Sequence, residues 1–223
     1  MLQAGSEEKL FELLAAYPSS SNTFNQYRDV HPTLDRLRGA EIRRHNLRIY
    51  LEAFVGARTV LVGEAAGYAG CRFSGIPFTC ESQFMPPQAL IWTIGRNLQR
   101  SSQADTPWTE RSAKMVWEAL DDRRDCVLWN AFPWHPFTEG EPLSNRPPRR
   151  DLSDAFDVLA CFLDLFPSCQ AYAVGRVAER ALAAIGIEAP YIRHPSRGGK
   201  SRFVAGVAAI AGASTGQGPA AGS

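Results

Sequence analysis

Four short apolar runs, each closing on a residue of chemical or conformational use, constrain this chain more than any other feature. Thr59-Val60-Leu61-Val62 ends at Gly63, Cys126-Val127-Leu128-Trp129 at Asn130, Ala171-Tyr172-Ala173-Val174 at Gly175, and Pro190-Tyr191-Ile192-Arg193 at His194. Apolar runs of this length, β-branched and bounded by turn residues, read as strands buried on both faces. Helical spacing fills the intervals over residues 87–97, 109–120, 151–166 and 176–185. Strands alternating with helices pair in parallel through right-handed crossovers. The expected fold is therefore α/β, a four-stranded, mainly parallel central sheet with helices on both faces.

Two helices are expected before the first strand. Ser6-Glu7-Glu8 ahead of Leu10, Phe11, Leu13 and Leu14 has the layout of a capped amphipathic helix ending near Tyr17-Pro18. Residues 34–54 carry Leu37, Ile42, Leu47, Tyr50, Leu51 and Phe54 at helical spacing, with arginines between them. A last helix is expected over 201–211, and the small, polar residues 212–223 read as a flexible tail beyond a single domain spanning 1–211.

At 223 residues, 45% of them hydrophobic, the chain can bury a substantial core. No apolar run approaches the roughly 18 residues of a membrane span. The first ten residues lack the basic-then-apolar layout of a signal peptide, so a cytoplasmic protein without membrane partners is expected, as a monomer. Five cysteines (Cys71, Cys80, Cys126, Cys161 and Cys169) with no C-x-x-C pair argue against a disulfide framework and a zinc ribbon, and no metal or cofactor is expected. A net charge of +1 excludes a polycation that coats nucleic acid. Charge is uneven, however: Arg193, Arg197, Lys200 and Arg202 form one cluster and Arg146, Arg149 and Arg150 another. Each reads either as solvated surface or as phosphate contacts on one face.

Ligands of open parallel sheets bind beyond the carboxyl ends of the strands, which points to one active site around Glu64, Asn130 and His194. The first strand runs into a loop with Gly63, Gly67, Gly70 and Gly75, permitting tight turns and close backbone approach to a ligand. Neither the G-x-G-x-x-G of a dinucleotide site nor the G-K-[ST] of a Walker A loop is present. Asn130 offers a carbonyl and an amide side by side, the complement of an amide-like edge such as a pyrimidine's; alternatively it caps the strand end. Of three His-Pro dipeptides, at His31, His135 and His194, only the last sits at an expected strand end and opens a short glycine-rich, basic loop before a helix. Such a loop can lie against a phosphate backbone.

Together these segments resemble the uracil-DNA glycosylase superfamily. Gly63-Glu64-Ala65-Ala66-Gly67 is similar to the G-E-A-P-G of the bacterial family 4 enzymes, with Ala66 where proline is usual. Set against the G-Q-D-P-Y-H-G of the best-known family, the match runs without a gap from Gly63 to Phe78, which falls on that family's uracil-stacking phenylalanine. His194-Pro195-Ser196 matches the H-P-S motif, and Asn130 falls at the uracil-reading asparagine. The recognisable region spans about 58–202.

The resemblance implies a monofunctional DNA-repair glycosylase that flips uracil from DNA and hydrolyses its N-glycosidic bond, leaving an abasic site and free uracil. It implies catalytic roles for Glu64 and His194. It sets Gly63, Ala65, Tyr68, Phe78 and Asn130 against the base, and Ser196, Arg197, Gly198, Gly199 and Lys200 against the DNA. Ala65 stands where the best-known family has its water-activating aspartate. Glu64 is then the nearest carboxylate, either activating water or only orienting it, with His135 a weaker stand-in. A protein that recognises uracil or an abasic site without turnover is the alternative, and a hydrolase of free nucleosides a weaker one. The family 4 iron–sulfur cluster needs a close cysteine pair near the N-terminus; no cysteine precedes Cys71, so no cluster is expected. The tyrosine that blocks a 5-methyl group in the best-known family falls at Gly67 here, and the adjacent Tyr68 either takes that role or points away.

Overall fold

The computed structural model describes residues 4–148 and 152–215. From the N-terminus run α1 (Ala4–Ala16), β1 (Thr23–Phe24), α2 (Gly39–Ala53), β2 (Thr59–Ala65), the one-turn α3 (Cys71–Ser74), α4 (Arg111–Leu120), β3 (Cys126–Phe132) and β4 (His135–Pro136). Then follow α5 (Ser153–Asp164), β5 (Gln170–Val174), α6 (Arg176–Ala184), β6 (Tyr191–Ile192) and α7 (Lys200–Thr215). The four apolar runs form one sheet in the order β3-β2-β5-β6, every pairing parallel, with helices packed around it. A separate antiparallel ribbon joins β1 to β4.

Burial explains why these runs are strands. Val60, Leu61 and Val62 are all buried, as is every residue of β3, so both faces of the central strands are covered. On one side Trp129 of β3 stacks on Phe162 of α5 with ring centroids 4.0 Å apart. Helix α4 buries Ala113, Val116, Trp117 and Leu120, an i, i+3, i+4, i+7 stripe. The outer edge of β3 is closed by a side chain: Tyr50 of α2 donates its hydroxyl to the Leu128 carbonyl (3.2 Å) and accepts the Leu128 N–H (2.6 Å).

Four boundaries differ from expectation. No α-helix forms over 87–97; the segment is loop around a 3-10 turn at Ile91–Thr93, after another at Glu81–Phe84. Its apolar residues share no buried face, because Trp92 is buried while Ile91 and Ile94 are exposed, and Gly95 adopts φ +76°. Helix α2 starts at Gly39 rather than at residue 34, and Leu37 is 92% exposed. Helix α1 starts at Ala4, so Ser6 lies inside its first turn instead of capping it. Helix α7 runs to Thr215, into the expected tail, whose residues 216–223 lie outside the described residues. Among the described residues no helix is long and apolar enough to cross a membrane.

The turn before α2 is held by charge. Asp35, wholly buried, bridges Arg43 of α2 (3.2 Å) and Arg72 of α3 (2.6 Å). Arg43 also donates to the Gln26 carbonyl (2.5 Å) and to Ser101 Oγ (3.0 Å), whereas Arg72 Nη2 is buried without a hydrogen-bond partner.

Candidate active site

Parallel register sets Gly63 of β2 directly across from Asn130 of β3, both near the carboxyl ends of their strands. The loop after β6 brings His194 to the same end. A cavity of about 310 Å³ opens there, lined among others by Glu64, Ala65, Phe78, Asn130, His194 and Arg197. Residues expected at three strand ends therefore meet in one space.

Phe78 reaches over the strand end because Gly63 has no side chain. A methyl group at Gly63 would overlap the Phe78 ring, lying 2.5 Å from Cε2 and closer to Cζ. Phe78 itself holds φ +51°, unusual for a bulky residue, and its carbonyl accepts a hydrogen bond from Trp117 Nε1 (3.0 Å). Its ring lies 6.3 Å from the His194 ring. Asn130 is buried on the cavity wall.

The state of His194 follows from its neighbours. The Ser196 backbone N–H, which can only donate, points at Nδ1 (3.2 Å), and the Ser196 hydroxyl is 2.8 Å from the same atom. Nδ1 must therefore accept, which puts the ring proton on Nε2. Burial, then the charges of Arg193 and Arg197, push its pKa down to about 4, so the ring is neutral at physiological pH. Glu64 shows the opposite tendency: burial raises its pKa, while Arg197 and Arg180 pull it back.

The loop after His194 is tight. A Cβ at Gly199 would overlap the His194 carbonyl oxygen, and Gly198 adopts φ +74° and Arg197 φ +50°. Ser196 and Arg197 line both the cavity and an adjoining trough of about 840 Å³; Gly198 and Lys200 line the trough alone. Lys200 Nζ forms an exposed ion pair with Glu118 of α4 at 3.0 Å. Gly199 packs beneath the loop and touches neither space.

Tyr68 is not on the cavity wall. It lines the trough instead, its ring edge-on to that of Trp108 at 5.8 Å, while its backbone N–H donates to Asn145 Oδ1 at 2.9 Å. His135 is buried, with Nδ1 2.8 Å from the Ala66 carbonyl and Nε2 3.3 Å from that of Pro142. Burial pushes its pKa down to about 4, so the ring is neutral at physiological pH and braces the glycine loop through the Ala66 carbonyl. Of the second basic cluster, Arg146 lines the cavity; Arg149 and Arg150 lie outside the described residues.

Among the cavity residues that the sequence did not point to are Glu110, Ser112 and Asn145. Glu110 immediately precedes α4, and its carboxyl lies between Gly67 and Gly70. A methyl group on either glycine would overlap that carboxyl, lying 3.1 Å and 2.8 Å from its carbon. Burial raises the Glu110 pKa to about 7, opposed only by a hydrogen bond from Ser112. The signal was positional: in parallel α/β units the helix N-termini face the strands' carboxyl ends, so residues opening α4 belong near the site.

No family model matches the chain, and no curated protein resembles it in sequence. In three dimensions it is similar to the crystal structure of wild-type SMUG2 from Pedobacter heparinus, with a TM-score of 0.57 and 11% identity, covering 94% of this chain and 98% of that one. The chain thus shares its fold with SMUG2 over nearly its whole length.

Proposed function

We propose that the protein is a monofunctional DNA glycosylase that hydrolyses the N-glycosidic bond of uracil in DNA. The observation that carries this reading is the single cavity joining Asn130, Phe78, Glu64 and a neutral His194 with its proton on Nε2. SMUG2, whose fold the chain shares, belongs to the uracil-DNA glycosylase superfamily, which supports the same class of chemistry.

Each residue has a physical task. A base within a duplex is out of reach, so the nucleotide must be flipped, at a cost of a few kcal/mol. Stacking on Phe78 returns ~1–3 kcal/mol per base. Asn130 matches the O4 and N3–H edge of uracil and mismatches cytosine, whose donor and acceptor are reversed; a buried amide left wrongly paired costs ~1–3 kcal/mol. As the bond breaks, negative charge collects on uracil O2, where the Nε2–H of His194 donates. A neutral donor suits this step, because it stabilises the departing base without first binding it as an ion pair. Water then attacks the cation-like sugar. Glu64, its basicity raised by burial, takes or orients the water's proton. Arg197 would fill the space the base vacates, Ser196, Gly198 and Lys200 would hold the phosphates, and Gly199, buried beneath them, would permit the tight turn that presents them.

The test is release of uracil from single- and double-stranded oligonucleotides. The expected result is an abasic product at multiple turnover, slowed severely by Asn130→Ala or His194→Ala and less by Glu64→Gln. No abasic product at high protein concentration sinks the reading. Tight, uracil-dependent binding without release would replace it by recognition without turnover, the role that Ala65 in place of an aspartate would suit.

A further inference from the structure

The cavity contains a carboxyl that the proposed reaction does not use. Glu110 enters from a different element than any residue given a task in that reaction, at the start of α4, and lies in a notch that exists only because positions 67 and 70 carry no side chain. It borders both the inner cavity and the trough outside it. Its carboxyl accepts a hydrogen bond from Ser112, which also lines both spaces. Among the described residues no arginine or lysine forms an ion pair with it, so it is not held there as half of a salt bridge.

A flipped uracil has three edges besides its bond to the sugar. On the reading above, His194 meets O2 and Asn130 meets N3–H and O4. The remaining edge, C5 and C6, is left for the part of the wall built by the glycine loop. There the loop offers two glycines, Tyr68 does not line the cavity, and the space left at Gly67 and Gly70 is taken by the Glu110 carboxyl.

We propose that Glu110 is the specificity-determining residue of the cavity: its carboxyl takes the volume vacated at Gly67 and Gly70, walls the pocket beside C5 of the base, and so excludes a 5-methyl group. This inference rests on the glycosylase reading and extends it to how the site tells uracil from thymine. Glu110 is a wall and not a catalytic residue, since nothing requires it to exchange a proton with the base or water.

The test compares wild type, Glu110→Ala and Glu110→Gln by single-turnover excision from oligonucleotides that differ only in carrying uracil or thymine, and by calorimetric binding of the two free bases. Removing the wall should raise the thymine-to-uracil ratio by about 10- to 200-fold, the usual worth of one methyl group in a pocket. Glu110→Gln, equal in shape, should keep the wild-type ratio. A folded Glu110→Ala protein that still binds uracil and discriminates as sharply as wild type overturns the proposal. If that variant does not fold, Gly67→Ala serves: its methyl pushes the carboxyl out of the notch and should weaken uracil binding about tenfold or more; unchanged uracil affinity overturns the proposal. Failure of the underlying reading is separately visible. Wild type that binds uracil but never excises it removes the catalysis and leaves the binding ratios to judge Glu110; wild type that binds neither base overturns both.

Discussion

Replacing Gly63 by alanine adds one methyl group in a place where the Phe78 ring already stands, 2.5 Å from Cε2 and nearer still to Cζ. Real carbon atoms do not approach so closely, and the backbone of β2, paired with β3 at Gly63 and with β5 up to Val62, has little room to yield. The ring must therefore move. If it leaves its stacking position, the loss is the stacking energy, ~1–3 kcal/mol, or about 5- to 150-fold in kcat/KM at 1.36 kcal/mol per tenfold. Overpacking should also lower stability by ~1–3 kcal/mol. Single-turnover excision with a thermal melt separates the two effects. The decisive measurement is a double-mutant cycle with Phe78→Ala. Once the ring is gone the added methyl meets empty space, so Gly63→Ala should cost almost nothing in that background. Equal losses in both backgrounds would refute the argument, because the methyl would then be acting on something other than Phe78.

Other expectations follow from the buried charges and the loops. Asp35→Asn leaves the guanidiniums of Arg43 and Arg72 buried against each other and should destabilise the fold by about 3–5 kcal/mol, read by denaturant titration; a loss below 1 kcal/mol would mean the triad is not the tie it resembles. His135 and His194 both titrate near 4 when folded, against an ordinary 6.5. The unfolded chain therefore binds protons that the folded one does not as pH falls from about 6.5 to about 4, so stability present above that window is lost across it. Melting temperatures measured along the pH axis should drop there, and less so in His135→Gln. On DNA, Lys200→Ala should reduce the salt dependence of binding by less than one full phosphate contact, ~0.9 in log–log slope, because Lys200 must first give up Glu118; a reduction by a full contact would contradict that exchange.

The central sheet was legible because a strand buried on both faces has no other way to appear in sequence than as a short, continuous apolar run. The cavity residues on those strand ends were legible for the same reason: Asn130 and His194 are polar groups where the apolar runs stop. What failed was periodicity without a partner. Residues 87–97 carry apolar spacing, yet Ile91 and Ile94 face solvent, since spacing records a face but not whether anything packs against it. Residues 34–38 likewise read as helix, while Asp35 pulls that segment into a turn through arginines distant in sequence. Glu110 was missed because its place depends on two absent side chains, and the gap left by a glycine is filled by whatever the fold brings there. Tyr68 shows the converse: a one-residue offset along the loop moved the ring to another surface.

The segment that resembles known motifs starts near Arg58, yet the Asp35 triad lies almost wholly before it. Arg72, its single member within the motif-bearing region, sits on the one-turn helix between the glycine loop and Phe78. A fragment trimmed to the motifs would therefore keep every residue proposed to touch the base and lose the counter-charge that anchors the loop presenting them. The minimal functional unit is longer than the minimal recognisable one. Chain shortening from the N-terminus should abolish the site's geometry before it removes any of the site's residues.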